Sequence, residues 1–233
     1  SVTVEQDGEE VDSRTPWTML SQNMGFHYGD NVSLNGDGTY TVTVETGGLS
    51  IDRRGAFADR FGDPATAEFE WEYSASTRDG IMFRRLDNAG EAGAVDPMSD
   101  MMMPLSVAPA EDEMPGRVLA TGETGDATVV ATAAESDGGD YLAVSPRTPY
   151  NRFLLPQMAF SATVTRGGQS VFDGPLTPAL DPDRGYHYGA EVDGVVESGD
   201  DLTITVDSIP QISRHEGYET AFLTMSDLEL TVQ

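Results

Sequence analysis

The segment from Val2 to Val44 recurs later in the same chain, and this repeat constrains the fold more than any other feature. Thr3, Val4, Gly8, Val11 and Leu20 match Thr163, Val164, Gly168, Val171 and Leu180, a constant separation of 160 residues. The register holds without a gap through Gly25, His27, Tyr28 and Gly29 against Gly185, His187, Tyr188 and Gly189, and on to Val32 against Val192. Two extra residues then shift the separation to 162, where "TVTV" at Thr41 to Val44 meets "TITV" at Thr203 to Val206. The stretches "EFEWEY" and "DLELTV" close the two copies. With only three histidines in the chain, two of them at one position of a repeat mark a unit kept twice.

Within the repeat the periodicity is that of strands. Apolar and polar residues alternate in "SVTVEQDGEEV", "TYTVTVET", "AEFEWEYS", "ATVVATAAE", "MAFSATVTRGGQSV", "DLTITVDS" and "SDLELTV", each bounded by Gly, Asp, Asn or Pro. No amphipathic helix of three turns is readable. Short strands at intervals of about 8–12 residues imply an all-β chain of two immunoglobulin-like β-sandwich domains in tandem. The boundaries fall at residues 1–90 for the first domain, 91–115 for a linker and 116–233 for the second. Strand-like sequence from about Gly116 to Ser161 precedes the matching segment of the second copy and has no equivalent before the first. The first domain is therefore expected to lack its N-terminal strands, as in a fragment of a longer protein or a domain completed by another chain. Trp17 and Trp71 are expected in the core of the first sandwich.

The charge excludes several classes of function. Forty acidic residues face thirteen basic ones, a net charge of −27, and every basic residue is arginine. Such self-repulsion suits concentrated salt, where the Debye length falls to about 3 Å at 1 M, and points to a halophilic microbe. No basic stripe exists to neutralise phosphates, so no nucleic-acid partner is expected. Cysteine is absent, which removes disulfides, thiolate metal sites and cysteine nucleophiles. No apolar run approaches the roughly 18 residues of a transmembrane helix. The opening "SVTVEQDGEE" is strand-like rather than a signal peptide, so the protein is either cytoplasmic or has lost a leader.

The duplicated His-Tyr-Gly allows two readings. No Gly-x-Ser-x-Gly, His-Glu-x-x-His or nucleotide-binding loop is present, and no catalytic residue emerges. Neutral imidazole is the commonest protein metal ligand, and an acidic surface eases the holding of a cation. Alternatively the motif is a turn signature in which tyrosine packs and histidine caps a strand end. Five of ten methionines, Met98, Met101, Met102, Met103 and Met114, lie in the linker. They are either soft ligands that suit Cu(I) or flexible packing residues.

The stretch "PWTMLSQNMGFHYGDNVSLNGDGTYTVTV" resembles the periplasmic ferrous-iron transport proteins of the pathogen-specific membrane antigen type, in a tandem version suited to a haloarchaeon. Their motif places a Met-containing strand and a turn before Gly-Pro-His-Tyr-Gly-x-Asn-Val. The resemblance implies an immunoglobulin-like sandwich that binds copper and other divalent metals in the service of iron uptake. It implies His27 and His187 as metal histidines, Met19 as a methionine ligand, and His215 in "SRHEGYET" as a later loop histidine. Phe26 and Tyr186 replace the family proline, and Ala179 stands where Met19 stands in the first copy. The second copy could offer His187 and His215 together with Glu216 or Glu219, or be degenerate.

These readings converge on a non-enzymatic, extracytoplasmic protein that binds iron or copper. It would be lipid-anchored through a leader absent from this chain, with a membrane permease and a second copy of itself as partners. The competing reading is a cell-surface structural or interaction module whose histidines only pack.

Overall fold

The computed structural model describes residues 1–82, 85–89, 91, 94–95 and 105–233. Among them the first copy forms β1 (Val2–Gln6), β2 (Glu9–Arg14), β3 (Trp17–Ser21), β4 (Gly25–Gly29), β5 (Gly38–Thr46), β6 (Asp52–Arg53) and β7 (Ala65–Tyr73). The second begins with β8 (Arg117–Thr124), β9 (Ala127–Ser136) and β10 (Gly139–Arg147). It continues with β11 (Ala159–Arg166), β12 (Gln169–Asp181), β13 (Gly185–Asp193), β14 (Asp201–Ser208), β15 (Ser213–Arg214) and β16 (Leu228–Thr231). The chain is all-β, as the alternation predicts. Its α-helix, α1 (Ala75–Asp79), spans five residues, and no helix among the described residues is long and apolar enough to cross a membrane.

In the second copy the strands run in the order β16-β14-β11-β12-β13-β10-β9-β8. The thirteen residues of β12 pass from one layer to the other: Gln169 to Leu176 pair with β11, and Thr177 to Asp181 pair with β13. The end strands meet at a seam, where the Gln233 N–H donates to Leu119 O at 2.9 Å and Leu228 and Leu230 close over Gly122. The sheet is thus nearly a barrel. Inward residues of both layers, among them Leu119, Val129, Leu142, Val144, Phe160, Val164, Tyr188, Leu202 and Ile204, form one continuous core.

The first copy repeats part of this plan. Its four-stranded sheet β2-β1-β5-β7 reproduces the order β12-β11-β14-β16. What is one strand in β12 is split into β2 and β3, with Thr15 and Pro16 between them at the positions of Pro175 and Leu176. β8, β9 and β10 have no counterpart among residues 1–82. The inward face of the four-stranded sheet therefore closes only a small cluster around Val4, Tyr40 and Val42. The tryptophans expected in a core are not buried: Trp17 is 66% and Trp71 39% exposed. Trp71 holds the position of Leu230, which packs over Gly122 of β8, a strand without a counterpart among residues 1–82, whereas Trp17 holds the position of Thr177, itself exposed. Of the linker methionines, Met98, Met101, Met102 and Met103 lie outside the described residues, and Met114 is buried.

The two copies are knitted by a reciprocal exchange that periodicity alone does not reveal. β15 of the second copy pairs in parallel with β3 of the first, Ser213 against Met19 and Arg214 against Leu20. β6 of the first copy pairs in parallel with β12 of the second, Asp52 against Ala179 and Arg53 against Leu180. Positions 19 and 179, and 20 and 180, correspond in the repeat, so the two crossings are the same contact made twice. Leu20 is fully buried and belongs to the core of the second copy. Gly25 and Gly185, both at positive φ, let the next two residues of one connecting segment approach: a Cβ would stand 2.9 Å from Phe153 at Gly25 and 2.8 Å from Leu154 at Gly185.

Candidate metal centre

His27 lies on β4 directly opposite Met19 on β3, so both side chains leave the hairpin on one face. A Cβ at Gly29 would stand 3.1 Å from Met19 Sδ and 3.8 Å from His27 Cδ2. The missing side chain at Gly29 is therefore what admits the thioether beside the imidazole. His27 Nδ1 lies 3.0 Å from Gly25 O, a contact that holds the proton on Nδ1 and leaves the Nε2 lone pair free for another partner.

That partner comes from the other copy. His215 follows β15, and its backbone N–H donates to Leu20 O at 3.0 Å. Next to it the Gln22 N–H donates to Glu216 O at 3.1 Å, and Glu216 takes a left-handed φ of 47° that turns the chain back. So held, His215 Nε2 stands 3.2 Å from His27 Nε2, with the rings at 73° and their centroids 5.2 Å apart. Metal–nitrogen bonds of about 2.0–2.1 Å meeting at roughly 90–110° would put two ligand nitrogens about 2.9–3.4 Å apart. The observed separation lies in that range. Two imidazoles and a thioether form a donor set of borderline softness, suited to copper and to other late divalent metals. Among the described residues no group of three or more His, Cys, Asp or Glu gathers that could hold a metal ion, so the candidate donors are Met19, His27 and His215 alone among those described.

His187 occupies the corresponding place in the second copy, and the structure keeps it apart from the other three. It faces Ala179 on β12 and is fully buried. Its Nδ1 lies 2.9 Å from Gly185 O, the same contact that His27 makes with Gly25. Its Nε2, however, is 3.1 Å from the Tyr141 hydroxyl, which donates to it from β10. A Cβ at Gly189 would collide with that hydroxyl, so the glycine that admits a sulfur in one copy admits a phenol in the other. Arg54 takes the position of His215: its N–H donates to Leu180 O at 2.8 Å, and the next residue, Gly55, has φ 54°. The Arg54 guanidinium sits 3.5 Å over the Tyr141 ring and pairs with Glu191 at 2.8 Å. Burial first, then the cations Arg184 and Arg54, push the His187 imidazole down to about 4, against the upward pull of the Gly185 carbonyl. Burial pushes the Tyr141 phenol up to about 12.

Sequence reasoning finds Met19, His27 and His215 but assigns them to different domains, and it misses Arg54 and Tyr141. Extending the repeat would have found Arg54, since "IDRRG" from Ile51 aligns with "ISRHEG" from Ile212 and sets Arg54 against His215.

Residues 1–75 match the family described as Fe2+ transport protein. Two solved structures of FetP from uropathogenic Escherichia coli strain F11 are similar to the chain. The as-isolated protein, expressed in the periplasm, is 17% identical, with 49% of this chain and 92% of that one covered at a TM-score of 0.37. A copper-bound variant of FetP is 15% identical, with 50% and 96% covered at 0.38. No curated protein matches the chain. The match that spans the greater part, residues 112–231 and just over half of the sequence, is to the family described as Domain of unknown function (DUF7350), and the chain belongs to that family.

Proposed function

We propose that this chain is a non-enzymatic, extracytoplasmic metal-binding protein of iron uptake, which holds a copper or iron ion between Met19, His27 and His215. The observation that carries this reading is the 3.2 Å approach of two imidazole Nε2 atoms, contributed by different copies of the repeat, beside a thioether admitted by Gly29. Two independent strands and a loop converge to bring the nitrogens together, and the Gly25 contact leaves the His27 lone pair aimed at the meeting point. The match of residues 1–75 to the Fe2+ transport family and the copper in the FetP variant support iron and copper as the ions. The chemistry asked of the protein is capture and release of a cargo ion. Imidazole must be deprotonated to bind, so acid releases the ion.

The site joins the two copies, read as domains 1–90 and 116–233 connected by 91–115, and an ion bound there ties them. A membrane permease would take the ion onward, and a lipid-anchored leader and a second copy of the chain belong to the same reading. The charge of −27 supports concentrated salt as the working medium.

Titration of the metal-free chain with Cu(II) tests the site. His27→Ala and His215→Ala should each weaken binding at least about a hundred-fold, because loss of outer-shell partners alone costs about 10–100-fold. Copper affinity within threefold of the parent in both variants excludes the site. The second reading, a surface interaction module, is favoured by the uncovered Phe69 and Trp71. It predicts no metal above background by elemental analysis.

A further inference from the structure

We propose that Arg54 is a resident cation that takes the metal's role in the second copy: its guanidinium, stacked on Tyr141 and paired with Glu191, ties the copies together where Met19, His27 and His215 hold an exchangeable ion in the first, so the chain takes one transition-metal ion per pair of repeats. The inference rests on reading the first site as a metal site.

Two substitutions and one added strand separate two positions that share one backbone. Met19 corresponds to Ala179, which has no donor atom. His215 corresponds to Arg54, fixed by the same N–H to carbonyl bond and the same left-handed residue after it, but bearing a charge and no lone pair. The edge of β4 that has no partner strand among the described residues corresponds to the edge of β13 that pairs with β10, from which Tyr141 donates its proton to His187 Nε2. The His187 Nε2 lone pair is thus already used. A metal ion would also meet two guanidiniums, Arg54 and Arg184, both ranged against Tyr141, at 3.5 and 6.0 Å from its ring centroid. The residues at His187 do not fit a metal. They fit a fixed cation, because the aromatic face attracts a guanidinium and Glu191 neutralises its outer side. The two crossings of the molecule then differ in kind: one is locked by a covalent side chain, and the other opens when its ion leaves.

The test uses the full chain, with Cu(II) counted by equilibrium dialysis and elemental analysis and its nitrogen ligands read by electron paramagnetic resonance. The parent should take one equivalent. Arg54→His combined with Ala179→Met and Tyr141→Phe, which frees the His187 Nε2 lone pair, should take two, with a second set of nitrogen couplings. Arg54→Met alone should keep one equivalent and lower the melting temperature of the metal-free chain by about 2–4 °C, as expected for the loss of about 1 kcal/mol in a chain of this size. A parent that binds two equivalents and loses one in His187→Ala overturns the proposal, as does an unchanged melting temperature in Arg54→Met. A parent that binds none beside a triple variant that binds one would instead overturn the first site and sustain the role of Arg54.

Discussion

His27 and His187 share a strand position, a neighbouring tyrosine and glycine, and a bond from Nδ1 to the carbonyl two residues back, yet their imidazoles face opposite chemistries. One ring is half-buried against a second imidazole, and the other is fully buried under a phenol that donates to it. Nothing in the motif itself makes the difference. It comes from three positions on other elements: 19 against 179, 215 against 54, and the presence of β10 beside one hairpin only. A histidine in a repeat therefore carries a direction for its lone pair, while the neighbours decide whether a metal or a hydroxyl meets it.

The sharpest way to break this comparison is acid. His187 stays neutral in the folded chain down to about 4, whereas an unfolded histidine titrates near 6.5. Below 6.5 the unfolded state binds the extra proton, so stability present above that pH is lost as the pH falls towards 4 and levels off below. The difference between the two values is worth about 3 kcal/mol, since each unit contributes about 1.4. His187→Gln should remove this part of the slope in denaturant titrations of the metal-free chain between pH 7 and 4. If the slope survives the substitution, the acid response belongs to the carboxylates.

A smaller effect comes from the paired glycines. Gly189→Ala sets a methyl against the Tyr141 hydroxyl and Leu142 O in a closed core and should destabilise the fold by about 1–3 kcal/mol without touching copper affinity. Gly29→Ala pushes only the flexible end of Met19 and should leave stability nearly unchanged while weakening copper binding by about tenfold. The same substitution would then read as stability in one copy and as affinity in the other. Equal affinity for Gly29→Ala and the parent would remove Met19 from the site.

Much of this was legible in the sequence, and the parts that were not share one cause. Alternation and turn residues point to the strands, and the 160-residue offset brings out the corresponding hairpins, because both are local properties of the chain. The meeting of His27 with His215 is not local: it depends on the parallel pairing of two-residue strands, β15 on β3 and β6 on β12, too short to leave a periodic trace. Arg54 escaped for the same reason, although "IDRRG" beside "ISRHEG" carries the signal once the repeat is pursued past its first shift. Trp17 and Trp71 look like core residues because large aromatics usually are, but Trp17 holds the position of the exposed Thr177, and Trp71 that of Leu230, whose neighbour β8 has no counterpart among residues 1–82.

That missing layer gives the last contrast, in which the first copy's residue has the smallest expected effect. Phe69 on β7 pairs with Val42 as Leu228 on β16 pairs with Ile204, so the two residues hold one position of the repeat. Leu228 is 8% exposed and closes the seam over β8, while Phe69 is 52% exposed. Leu228→Ala should cost about 2–5 kcal/mol, since it opens a cavity in a packed core. Phe69→Thr exchanges an exposed ring for a residue of good strand propensity and should shift stability by no more than about 0.5 kcal/mol. Chemical denaturation of the two variants in the same salt measures the gap. A loss for Phe69→Thr as large as that for Leu228→Ala would mean that the first copy's sheet is covered in solution, and the asymmetry between the copies would then lie in their sites alone.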